Sequence, residues 1–104
     1  PTDEQLKYER YLEKLVTCLE KSLQTNRPYN QPPIIKQNPR VVMSLNRRGI
    51  LVNFRIIESS GSREVDEHVS RAFYDAGASF PPVPNYLPGD PFVATFVVIM
   101  SRNW

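Results

Sequence analysis

Nine of the ten prolines fall in two stretches, Pro28, Pro32, Pro33 and Pro39 in the first and Pro81, Pro82, Pro84, Pro88 and Pro91 in the second. A proline fixes φ and has no amide hydrogen, so neither stretch can hold a helix interior or a central strand. The chain is expected to divide into an N-terminal helix (1–25), a proline-rich connection (26–39) stiffer than a Gly/Ser linker, and a core (40–101), all within one domain.

Within these limits the local patterns are clear. Thr2-Asp3-Glu4-Gln5 has the form of a capping box, and Tyr8, Leu12, Leu15, Val16, Leu19 and Leu23 recur at three- and four-residue steps. This predicts an amphipathic helix over 3–24. Val41, Met43 and Leu45 alternate with Val42, Ser44 and Asn46, and after the Asn46-Arg47-Arg48-Gly49 turn the alternation resumes over Ile50–Glu58. The pair predicts a β-hairpin with Val52, Phe54 and Ile56 on one face. Ser62 can cap a second helix whose stripe is Val65, Val69, Ala72, Phe73 and Ala76, with Gly77 at its C-terminus. A last strand is expected over Phe92–Met100, apolar in both of its alternating sets, a pattern that suits a central or helix-covered strand as well as an open edge. The fold class is α+β, in the order helix, strand, strand, helix, strand. Two helices cover one face of a small three-stranded sheet, the hairpin plus the last strand.

The bulk properties, 40% apolar and 23% charged, are those of an ordinary globular chain. The longest apolar run is strand-sized, far short of the ~20 residues of a membrane helix. Pro1 reads as the start of a fragment. The net charge of +2 implies no nucleic-acid partner by itself. Its distribution is uneven: Arg27, Lys36, Arg40, Arg47, Arg48 and Arg55 form a stretch without an acid. A solvated basic face is the plain reading and an acidic-partner patch the alternative. Cys18 is the only cysteine, which rules out an internal disulfide, and on the helix it reads as a small buried apolar residue.

Catalytic constellations are thin. His68, the only histidine, has no partner in sequence that would orient it as a base and reads as a surface residue. Glu64 and Asp66 suit the positive end of the second helix. The Ser59-Ser60-Gly61-Ser62 turn lacks the glycine spacing and lysine of a phosphate loop. No metal or cofactor motif is present, and neither enzymatic activity, a cofactor nor a small-molecule substrate is expected. Three strands, however, leave two edges, whose free N–H and C=O groups must be protected or used.

The stretch Val41–Met100 resembles the C-terminal domain shared by TonB and TolA. The likeness runs through the Gly49 turn and Ile50–Ile57 into Ser59-Ser60-Gly61. It continues through Val65-Asp66 and Ala72, then Phe80-Pro81-Pro82-Val83-Pro84, and ends in Phe92–Met100. Tyr29-Asn30-Gln31-Pro32 only approximates the Tyr-Pro motif of many TonB proteins, and the cysteine pair frequent in TolA is missing. The long first helix leans toward TolA or a divergent TonB.

The resemblance implies a periplasmic, non-enzymatic module tethered by an inner-membrane helix and driven by an inner-membrane motor complex. Its partners would be proteins: TonB-dependent outer-membrane receptors, or TolB and Pal, with colicin and phage proteins as exploiters. Binding would add a partner strand at Phe92, Val93, Thr95, Val97 and Ile99, with Arg40, Arg47, Arg48 and Arg55 steering an acidic partner. The rival reading is a small nucleic-acid-binding domain that uses the basic hairpin.

Overall fold

The computed structural model of the chain describes residues 2–25 and 34–103. Most of the first proline-rich stretch, with the Tyr29–Pro32 approximation, lies outside the described residues, as does Trp104.

Helix α1 (Asp3–Gln24) begins as its sequence dictates: the Thr2 hydroxyl accepts from the Gln5 amide, and the Gln5 side chain accepts from the Thr2 amide. Its buried residues are Tyr11, Leu15, Leu19 and Leu23. Tyr8 is 39% exposed, and Leu12 and Val16 are half-buried at the margin. Tyr11, absent from the expected stripe, enters the core because its hydroxyl finds the Pro81 carbonyl at 2.9 Å. Burial pushes the Tyr11 phenol above its ordinary pKa, against the opposing pull of Arg47.

Strands β1 (Arg40–Leu45), β2 (Leu51–Glu58) and β3 (Phe92–Val97) form one antiparallel sheet in the order β2-β1-β3. The central strand is β1, with Val41, Met43 and Leu45 buried, so β3 lies at an edge. Both α1 and α2 (Arg63–Ala76) lie on one face, and the α2 stripe Val65, Val69, Ala72, Phe73 and Ala76 is buried as its spacing requires. Among the described residues no helix is long and apolar enough to cross a membrane.

Several local expectations are corrected. Val52 is exposed and Leu51 packs toward the core, because a register shift between Ser44 and Leu45 moves the hairpin's inward position by one residue. His68 is buried, not on the surface: its Nε2 donates to the Leu23 carbonyl at 2.9 Å and joins α2 to the end of α1. Gly77 does cap the C-terminus of α2 as expected, but with a right-handed φ of −56° that leads into a 3-10 turn (Gly77–Ser79). Its use is steric, since a Cβ there would lie 3.2 Å from the Leu51 Cβ. Cys18 is only half-buried, with Sγ 3.7 Å from the Ser79 carbonyl. The last strand stops at Val97 rather than Met100. Its partner β1 begins at Arg40, and the preceding Pro39 can accept from the Val98 amide but has no N–H to return. The Asn38 side chain then accepts from the Met100 amide, where the short helix α3 (Met100–Asn103) begins.

Two turns fix these elements. At the hairpin, the Asn46 side chain accepts from the Arg48 and Ile50 amides, and Gly49 takes φ +84°. A Cβ on Gly49 would fall 2.4 Å from the Pro81 oxygen. Gly49→Ala therefore combines backbone strain with a clash, and should cost about 2–4 kcal/mol of stability in urea unfolding.

Between β2 and α2, the Asp66 carboxylate accepts from the Ser59 hydroxyl, the Ser60 hydroxyl at 2.6 Å and the Ser60 amide at 3.0 Å. Burial alone would raise its pKa, but these bonds outweigh it and hold the group below its ordinary 3.8. A folded value below the unfolded one means that this stabilisation is complete above the unfolded pKa. It is lost as pH falls through the folded value. Asp66→Asn should lower stability by about 1–2 kcal/mol at neutral pH. In urea titrations the gap from the parent chain should narrow below pH ~4, as the parent carboxylate protonates.

Candidate functional site

The outer edge of β3 follows from its pairing. Val98 donates to Pro39 at 2.9 Å, and in an antiparallel ladder alternate residues direct both backbone groups to the same side. Phe92, Ala94 and Phe96 therefore face β1 with their N–H and C=O, whereas Val93, Thr95 and Val97 direct theirs outward. Among the described residues β3 pairs with β1 alone. The same three residues present their side chains to the sheet's uncovered face, where Val93 and Val97 are 53% and 51% exposed.

The two edges of the sheet are built differently. Pairing of β2 with β1 is interrupted near both ends, between Arg40 and Val41 and between Ser44 and Leu45. Such bulges twist an edge and break its regular row of donors and acceptors. Pairing of β3 runs from Leu45↔Phe92 to Arg40↔Val97 without a shift. Its outer edge is thus the straight one and carries no charged side chain.

Helix α1 runs alongside β3 in the same direction. At one end the Tyr8 and Tyr11 rings lie 6.0 and 5.5 Å from Phe92. At the other, Val16, Leu19, Glu20 and Leu23 face Phe96–Ile99 across a cleft of about 230 Å³. Tyr8–Leu19 spans about 17 Å of helix, which matches the rise of a six-residue strand. Bonds from Cys18 to Ser79 and from Ser22 to Ala72 turn the opposite flank of α1 toward α2. Leu12 and Val16 are thereby left on the flank above the open edge.

The structure divides the expected site residues. Phe92 is only 4% exposed, so its ring belongs to the core. Val93, Thr95 and Val97 lie together on the outer edge of β3, and Ile99 follows just past its end. Arg47 is engaged within the molecule. Its Nη1 donates to the Leu87 and Gly89 carbonyls at 2.7 and 2.9 Å, and its Nη2 to Pro84 at 2.8 Å. Arg48 is exposed in the turn, and Arg55 is exposed on β2, beyond β1 from the open edge. Arg40, expected to help steer an acidic partner, is 3.8 Å from Glu58 in a half-exposed ion pair of small energetic weight. Among the described residues, Arg47 is thus the one of these arginines whose guanidinium is taken up by carbonyls of the same chain. Missed by sequence reasoning was the α1 flank beside β3. Leu12 and Val16 stood in the helical stripe, but nothing local distinguishes a residue in the core from one at its margin. Among the described residues no group of three or more His, Cys, Asp or Glu side chains could hold a metal ion.

No curated protein and no solved structure matches the chain. A family model described as TonB C terminal matches residues 8–97, from the first helix to the end of β3. The chain belongs to the TonB C-terminal domain family.

Proposed function

We propose that this chain is the partner-gripping module of a TonB- or TolA-like envelope protein, and that it binds by adding a partner strand to the outer edge of β3. Domains of this family are periplasmic protein-interaction modules. An inner-membrane tether, a motor complex that pulls on it, and partners among outer-membrane receptors or TolB and Pal belong to the proposal.

The observation that carries this reading is the shift-free edge formed by Val93, Thr95 and Val97. An incoming extended segment gains backbone hydrogen bonds on one side and apolar contact on both faces. Above it lie Leu12 and Val16; below it lie the exposed Val93 and Val97 side chains. A protein without a use for such an edge usually blunts it with a lysine, an inward charge or a bulge. The Ile99 side chain, 40% exposed, extends the apolar strip past the strand. A nucleic acid would find Arg48 and Arg55 but not Arg47, whose guanidinium is already bonded to three carbonyls.

The test is a titration of the chain with TonB-box peptides from outer-membrane receptors and with segments of TolB and Pal, followed by amide hydrogen exchange. A bound strand should slow exchange at Val93, Thr95 and Val97 and leave the outer residues of β2 unchanged. Thr95→Pro removes an outward donor without touching the β1 pairing, and should weaken binding about tenfold or more. Undiminished affinity in this variant, with its circular dichroism intact, would reject the β3 edge as the docking site.

A further inference from the structure

The cleft at the C-terminal end of β3 has a chemical character of its own. Its walls are Val16, Leu19 and Leu23 from α1 and Phe96 and Val98 from the end of the sheet, all apolar. One charged residue lines it, Glu20, half-buried. Among the described residues Glu20 takes part in no ion pair.

This placement reflects the charge pattern of α1. Glu9 and Glu20 fall, by helical spacing, on the flank of Leu12 and Val16, above the open edge. Lys7, Lys14 and Lys21 fall on the opposite flank, where Lys7 sits 5.1 Å from the Tyr86 ring. The helix thus turns carboxylates toward β3 and ammonium groups away from it.

Resting on the β3-edge reading, we propose that this cleft is a socket for one side chain of the docked strand, and that it selects a long cationic residue, arginine or lysine. In a strand paired with β3, alternate side chains point to the helix side of the sheet, where the cleft opens. The aliphatic stem of an arginine or lysine fits the apolar walls, while its charged head reaches the carboxylate at the mouth. A purely apolar side chain would fill the walls and leave Glu20 without a partner. An acidic one would meet like charge in a partly desolvated site. Partner choice then lies with the first helix, not with the hairpin arginines.

Nine-residue peptides of alternating threonine and valine, with one valine in turn replaced by arginine, methionine or glutamate, test this directly. Affinities are measured by fluorescence anisotropy, with amide exchange at Val93, Thr95 and Val97 reporting the docking mode. At one guest position arginine should bind about tenfold tighter than methionine, and glutamate weaker than both. Glu20→Gln should reduce the arginine peptide to the level of methionine and leave the methionine peptide unchanged. Raising the salt to ~1 M should narrow the arginine advantage. Equal affinities for arginine and methionine at every position, or an arginine preference that survives Glu20→Gln, would overturn the socket while protection at β3 upheld strand addition. If no peptide protects the β3 amides, strand addition fails, and the socket with it.

Discussion

The carbonyl groups of the second proline-rich stretch are the constraint from which much of the remaining architecture follows. Residues 80–91 have neither helix nor sheet to satisfy them, and a buried carbonyl without a donor is costly. Donors come from elsewhere in the chain. Arg47 donates to Pro84, Leu87 and Gly89, Tyr11 donates to Pro81, and the Val83 amide donates to Arg47 in return. The close approach of the Pro81 carbonyl to Gly49 completes the clamp. In this way the first helix, the hairpin turn and the loop that delivers β3 are tied at one point. The start of β3 is fixed there before its ladder begins.

What was legible in the sequence was what neighbours in sequence decide. The Thr2/Gln5 capping box, the Gly49 turn, the Ser62 cap and the stripe of α2 are each settled within about four residues, and each appears as expected. What was not legible depends on distant partners. His68 looks solvent-exposed until Leu23, 45 positions away, supplies its carbonyl. Leu51 displaces Val52 from the inward face only because β1 imposes a register. The end of β3 is set by Pro39, the residue that should have continued the ladder. Of the candidate site, the apolar strand itself was visible. The role of Arg47 and the helix flank beside the edge were not, since a guanidinium is identical in sequence whether it meets water, a partner or three carbonyls.

The same sheet handles its two edges in opposite ways. On β2 the ladder is broken near both ends, and Phe54 is pinned under Phe73 and Tyr74, with ring centroids 4.8 and 5.7 Å apart. On β3 the ladder is regular and the outward residues are valine, threonine and valine. Both sets of that strand are apolar for two separate reasons: one set fills the core, and the other lies on a face that no helix among the described residues covers. A pattern resembling a fully buried strand arises here at the rim.

The position of β1 between its two neighbours has a mechanical corollary. A segment laid against β3 and tugged along the strand axis would strain its hydrogen bonds side by side rather than one after another, so that rupture requires several to fail at once. The tension would pass from β3 into the middle strand through a second uninterrupted ladder, and from there into the rest of the sheet. If a partner strand docks at that margin, the same geometry would let it bear load in shear rather than by unzipping.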